Sequence, residues 1–370
     1  MYSEAMNAVS DRVLATLNTV EPRFPLFADP DTGVWETTAD GNWCPGHWIG
    51  LLWSVSAHRG GPAGERCRSA AEAYTERAGW ERLRGSLFAG MNYRYAGFRA
   101  ADLGGDPKLS ALGVRGAEHV VACFDDSTGV VPVGSFGTRG LKEHAATDPA
   151  VVAAVDAGYT ATGLLWRAAD LTGDERYRRI ARRHTDTHLR WFVRDDGSVW
   201  HKVSFDPNTG SVERRYNQLT RVSDACWARG LGWSIACFGD AYNATGDPEY
   251  LGTLERHVEY YRRWTPADDV PFAELGPDAP ETYPDTSGAA LAAYGLVRLL
   301  GDDRRVDSLR EFGTEILSSL VSDYLVTEGP LRGQLHSGCY NAVDDVAPNH
   351  ELVWSTYYFF VALASASGKR

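Results

Sequence analysis

A short turn recurs four times along the chain, and it restricts the architecture more than any other feature. It reads Gly105-Asp106-Pro107-Lys108-Leu109, Gly173-Asp174-Glu175-Arg176-Tyr177, Gly246-Asp247-Pro248-Glu249-Tyr250 and Gly301-Asp302-Asp303-Arg304-Arg305. Each residue type has a physical task. Glycine ends a helix in the left-handed conformation, which costs other residues a Cβ clash. Aspartate accepts hydrogen bonds from the free N–H groups that open the next helix. Proline suits a first helical turn because it has no N–H to lose. Each turn therefore joins two antiparallel helices.

The helices on the two sides of these turns differ in kind. Those before a turn are poor in charge and rich in small and aromatic residues, as in Val151 to Leu171, Asp224 to Thr245 and Thr286 to Leu300. Those after it are charged and amphipathic, as in Tyr177 to Phe192 and Tyr250 to Trp264. A helix apolar nearly all round is buried, whereas one with a single apolar stripe lies at a surface. Ser86 to Leu103, His47 to His58 and Leu352 to Ser365 complete a set of inner helices large enough to close a ring. The expected fold is all-α, an (α/α)6 barrel over residues 1–370 as one domain. Long loops rich in Gly, Pro and Asp lie before the inner helices: Asp125 to Pro149, Arg194 to Ser223, Thr265 to Pro284 and Thr327 to His350. Loops of this length are uncommon without a function. All emerge at one end, so the ring is expected to be a cup whose mouth faces the inner-helix N-termini. Free N–H groups and helix dipoles favour an anionic ligand there.

Composition narrows the function. Lys+Arg is 37 against Asp+Glu 49, a net charge of −12, which leaves no basic excess for a nucleic-acid phosphate backbone. The opening MYSEAMNAVSDRVL reads as an amphipathic helix, not a signal peptide, and no long apolar run predicts a membrane span. Six scattered cysteines without a CxxC pair fit the reduced thiols of a cytoplasmic protein. His184 and His188 have a metal-ligand spacing but no third ligand nearby, so a plain helix face is expected and no metal. Oligomeric state is not encoded in any pattern of the chain.

Polar residues at the mouth carry the chemistry. Asp156 sits in an apolar helix, where loss of hydration raises a carboxyl pKa toward that of a general acid. Asp285, opening Asp285-Thr286-Ser287-Gly288, reads first as a helix cap. Arg229 lies between Trp227 and Trp233, and a buried cation needs an anion, whether a ligand or a structural acid. His201 follows Arg194-Asp195-Asp196-Gly197-Ser198-Val199-Trp200 on a mouth loop. Trp43 and Trp48 crowd the start of the first inner helix, and His336-Ser337-Gly338-Cys339-Tyr340 adds a polar loop.

In their order and spacing these segments resemble the unsaturated glucuronyl hydrolases of glycoside hydrolase family 88 and the related rhamnogalacturonyl hydrolases of family 105. The resemblance runs from about Trp35 to Phe360. It rests on Asp156, Arg194-Asp195-Asp196-Gly197-Ser198 with His201, Phe205-Asp206-Pro207-Asn208-Thr209-Gly210, Trp227-Ala228-Arg229-Gly230 and Asp285-Thr286-Ser287. It implies an (α/α)6 barrel and a glycoside substrate ending in a 4,5-unsaturated sugar acid. It also implies a reaction in which Asp156 protonates C4 of the vinyl ether and water adds at C5. By the same carry-over Arg229 and His201 line the pocket, and Trp227, Trp233 and Trp48 pack on the ligand. Gln218 partly meets the family's His-Gln pair, and Ser337 lies in the loop that meets the uronate carboxylate. No metal or organic cofactor is implied.

The chain departs from the family on the second inner helix, Met91-Asn92-Tyr93-Arg94-Tyr95-Ala96-Gly97-Phe98. Tyr95 stands where a second essential aspartate is expected, and Arg94 where a histidine is. The Ser135-Phe136-Gly137-Thr138-Arg139 loop lacks the family's tryptophan. Two alternatives to hydration follow. One is a uronate lyase or dehydratase with Tyr95 as acid and base. The other is a sugar-acid binding protein without catalysis.

Overall fold

The computed structural model describes residues 1–104, 106–134 and 151–368. The Ser135–Arg139 loop and Gly105 lie outside the described residues. Among the described residues the ring is present and closed. Its inner wall is built from Pro45–Arg59, the segment Ala89–Tyr93 continued through Arg94–Arg99 and Ala100–Gly104, then Val155–Thr172, Ala228–Thr245, Thr286–Val297 and Val353–Ala366. Each packs on the next, and the last packs on the first. The outer layer is Gly61–Arg77, Pro107–Cys123, Glu175–Trp191, Pro248–Trp264 and Arg304–Asp323, with Tyr2–Val20 outside the last inner helix. No helix among the described residues is long and apolar enough to cross a membrane.

The turns work as their residue types require. Gly173 and Gly246 are left-handed, at φ 72° and 67°. Asp106, Asp174 and Asp247 accept from the N–H groups of Lys108, Arg176 and Glu249 at 2.8, 2.8 and 3.0 Å. The fourth turn differs: its inner helix stops at Val297, and Asp303 is the cap, at 2.9 Å from the Arg305 nitrogen.

At the other end short strands replace helix. Val151–Ala154, Cys226–Trp227 and Glu351–Leu352 each run straight into an inner helix. Val151–Ala154 pairs with Lys202–Phe205, which pairs in turn with Val212–Tyr216. The inner helix expected from Val151 therefore starts at Val155, because the backbone of the preceding four residues is engaged in the ladder. On the second inner helix, Arg94–Arg99 is a wide π turn. Such turns often mark functional positions.

Candidate active site

The strand that enters the third inner helix places the acid. Asp156 lies in the first turn of Val155–Thr172, not one to two turns inside as the sequence suggests. The Val155 N–H donates to the His201 carbonyl at 2.8 Å, which ties the helix start to the hairpin. Asp156 is buried, and burial raises its pKa to about 6; its own backbone N–H, Arg229 and Lys202 oppose the shift. A carboxyl poised near neutrality is suited to general acid work.

His201 Nε2 stands 3.9 Å from the Asp156 carboxylate. Its Nδ1 accepts from the Gln218 backbone N–H at 3.4 Å, so in the neutral ring the proton sits on Nε2 and faces the acid. Burial, then the charges of Lys202 and Arg229, hold His201 well below its usual pKa. Gln218 also accepts from Lys202 Nζ through its side chain. A water or ligand oxygen can reach both Asp156 and His201, since 3.9 Å is beyond a direct hydrogen bond.

Arg229 is buried on the fourth inner helix and already engaged. It donates to Ser287 Oγ at 3.0 Å, to the Tyr340 carbonyl at 2.7 Å and to the Cys339 carbonyl. Asp285 lies 3.5 Å away and supplies the counter-charge. Asp285 also caps Thr286–Val297 through the Ser287 nitrogen at 3.0 Å and accepts from the Cys339 nitrogen at 3.1 Å. Arg229 is thus a clamp on the Ser337–Tyr340 loop. Ser337 itself is left-handed at φ 58°, and its carbonyl accepts from the Thr286 nitrogen at 3.0 Å.

The wall of the mouth is aromatic. The His201 ring packs on Trp227 at 5.0 Å, and Arg229 lies over Trp227 at 4.7 Å and Trp354 at 5.8 Å. Trp43 meets Trp354 at 4.7 Å and Phe88 at 5.0 Å, and Tyr340 meets Trp354 at 5.1 Å. Trp48 does not belong to this wall. It turns outward against Tyr74 of the outer helix Gly61–Arg77, at 6.1 Å. Trp43 takes the place expected of Trp48. The sequence placed both in one stretch, but only the fold decides which ring faces inward.

Below the mouth the interior closes on itself. Trp233, one turn past Arg229, stacks on Tyr159 at 5.5 Å. The Tyr159 hydroxyl donates to Tyr294 at 3.1 Å, and Tyr95 is 2.7 Å from Tyr159 and 2.8 Å from Tyr358. His47 Nε2 is 3.0 Å from the Tyr358 hydroxyl. Each hydroxyl has one proton, so the chain has one direction: His47 to Tyr358 to Tyr95 to Tyr159 to Tyr294. Tyr95 is thus held by two tyrosines, and burial, then Tyr358, pushes its pKa well above the usual phenol value. Arg94 passes over Gly163 to a bidentate pair with Asp240, at 2.5 and 3.1 Å, which Arg298 shares at 3.4 Å.

The structure therefore brings together Asp156, His201, Gln218, Trp227 and Arg229, with the Ser337 loop clamped beside them. Trp233 lies one turn deeper, and Tyr95 and Arg94 are engaged deeper still. His184 and His188 are core residues: His184 Nε2 meets the Ala157 carbonyl at 2.9 Å, and His188 stacks on Phe192 at 4.1 Å. No group of three or more His, Cys, Asp or Glu among the described residues could hold a metal ion.

A closed α/α hairpin ring with a buried acid, a neutral imidazole and an aromatic wall at the inner-helix N-termini has the frame of a glycosidase toroid. Comparison with known proteins supports this. No family model matches the chain. The unsaturated glucuronyl hydrolase of Bacillus sp. (strain GL1) is 24% identical over 98% of this chain and 96% of its own length. The protein of that name from Formosa agariphila is 30% identical over 54% of this chain and 51% of its own length. The unsaturated chondroitin disaccharide hydrolase of Streptococcus pyogenes serotype M1 is 24% identical over 98% of this chain and 90% of its own length. The crystal structure of the Bacillus sp. GL1 enzyme superposes with a TM-score of 0.86 at 22% identity, covering 98% of this chain and 96% of that one. A glucuronyl hydrolase specific for heparin gives 0.86 at 20% identity, covering 99% and 97%. In sequence and in fold the chain is similar to the unsaturated glucuronyl hydrolases.

Proposed function

We propose that this protein hydrates the 4,5 double bond of an unsaturated uronyl residue at the end of a glycoside, with Asp156 as the general acid. The observation that carries the proposal is the Asp156–His201 pair. A carboxyl raised to about 6 can hold a proton near neutrality, and a neutral imidazole at 3.9 Å can orient a water without competing for that proton. The Asp156 proton passes to C4, and positive charge develops at C5 and the ring oxygen. Water adds at C5 and its proton returns to Asp156. The C5 hemiketal then opens to a ketone, and the resulting hemiacetal at C1 releases the leaving sugar as an alcohol. The balance is one water added and one glycoside cleaved. Trp43 and Trp227 line the mouth where a sugar ring would stack, with Trp354 buried behind them. Arg229 holds the Ser337–Tyr340 loop that closes one side.

The lyase alternative needs a Tyr95 phenolate as base. A phenol that is buried, raised in pKa and held by Tyr159 and Tyr358 is poorly suited to that. The test is spectroscopic. An unsaturated uronyl disaccharide should lose its conjugated enol-ether absorbance on incubation, and Asp156→Asn should abolish the loss. A gain of absorbance from a saturated uronide means elimination. Saccharide binding with no change in either means a binding protein.

A further inference from the structure

On the outer flank of the ring, behind the mouth, lies a pocket of about 500 Å³ lined by Gly79, Trp80, Arg84, Tyr93, Arg115 and His119, with Glu81 at its edge. Its volume is in the range that takes a small molecule or a sugar unit. The back wall is aromatic: Trp80 lies on Tyr93 at 4.7 Å, and His119 meets the Tyr93 edge at 5.4 Å. The Trp80 indole is fixed by its bond to the Thr75 carbonyl at 2.8 Å. The side walls carry two exposed arginines. Arg84 faces Glu81 only at 3.9 Å, with both side chains largely in solvent, a pairing worth little. The pocket also sits next to the mouth. Asn92, beside Tyr93, donates to the Trp43 carbonyl at 2.8 Å, and Trp43 is part of the aromatic wall.

We propose that this pocket is a second saccharide site, which holds an anionic pyranose of the same chain whose end occupies the mouth. The half-buried Trp80 indole, backed by the buried Tyr93 ring, suits the apolar face of a sugar ring, and two guanidiniums at the rim suit a carboxylate or sulfate. A polyanionic ligand is repelled by a protein of net charge −12, so a local cationic pocket beside the mouth offsets that field. The polyanionic character of the ligand rests on the function proposed above. The pocket itself involves none of the residues assigned to that reaction.

Asp156→Asn protein, in which the reading above expects binding without turnover, is titrated calorimetrically with a 6-sulfated chondroitin hexasaccharide, with glucuronic acid and with inorganic sulfate. We expect one hexasaccharide per protein, bound roughly tenfold or more tightly than glucuronic acid, and that gain lost after adding Arg84→Ala and Arg115→Ala, with Trp80→Ala as an independent second variant. In otherwise unaltered protein, Arg84→Ala/Arg115→Ala should raise KM for the hexasaccharide by roughly tenfold at low salt and leave KM for an unsaturated disaccharide unchanged. A hexasaccharide that gains nothing over glucuronic acid in the parent, or a gain that survives both variants, overturns the proposal. So does binding of sulfate that gains nothing from a sugar ring. Turnover of the disaccharide reports on the mouth alone, so failure of the hydrolase reading is seen separately.

Discussion

The mouth of the ring and the interior beneath it are made from the same six inner helices, yet they settle their polar groups in opposite ways. At the mouth, Asp156 and His201 stop 3.9 Å apart and Asp156 is held near pKa 6. Beneath, Tyr95, Tyr159, Tyr294 and Tyr358 form a chain in which each link is between 2.7 and 3.1 Å. The mouth stores an unfavourable charge state that chemistry can use. The interior stores none. A change at the mouth should therefore cost rate, and a change in the interior should cost stability.

The largest expected effect is at Asp156. Asp156→Asn should lower kcat by about 10²–10⁴ while saccharide binding survives. The same variant should be more stable than the parent at pH 8. The folded pKa, about 6, lies above the ordinary value of 3.8, so the fold favours the protonated acid. That advantage is full below about pH 4 and is lost as pH rises through 6, a burden on the order of 3 kcal/mol. Thermal melts at pH 4 and pH 8 check this, and an equal shift at both would contradict it.

Next comes the pH profile. kcat should fall about tenfold per pH unit above 6 as Asp156 loses its proton. His201, kept neutral by burial, should add no second limb near neutrality. A bell with a second ionisation between pH 5 and 8 would mean that another group takes part.

Tyr95→Asp puts a carboxylate in a buried place whose nearby cation is already paired. Arg94, its sequence neighbour, is committed to Asp240. We expect a loss of roughly 3–5 kcal/mol in denaturant titrations, and Arg94→His should add to it by breaking the buried pair. A stable Tyr95→Asp protein with faster turnover would show that the interior is part of the catalytic site after all. Tyr95→Phe should cost about 1–3 kcal/mol, since it takes partners from two buried hydroxyls, with kcat within about a factor of three. A hundredfold drop at unchanged stability would restore Tyr95 to the chemistry. The smallest effect is Trp48→Phe, which should leave KM unchanged, because that ring lies against Tyr74.

The ring was legible in the sequence because its signals are local. A Gly-Asp pair ends one helix and caps the next whatever surrounds it, and Gly173 and Gly246 behave as read. Asp156, His201 and Arg229 were legible as a group, since their segments all precede or open inner helices. What was not legible depends on partners far along the chain. Pairing with residues near 203 turned Val151–Ala154 from helix to strand. The outward turn of Trp48 needs Tyr74, and the engagement of Arg94 needs Asp240, 146 residues away. No spacing within a helix encodes either.

The ladder that sets Asp156 beside His201 has a consequence for descent. Ala154 lies opposite Lys202; His201 is the next residue on one side, and on the other Val155 bonds to the His201 carbonyl and Asp156 follows it. A slip of one position along that ladder would send alternate side chains to the opposite face and carry His201 out of reach. Insertions can accumulate in the tip Asp206–Gly210 without touching the register, whereas a single-residue deletion in either paired strand cannot be absorbed. A lineage can therefore remodel the exposed tip of the hairpin while it inherits the acid and its imidazole as one unit.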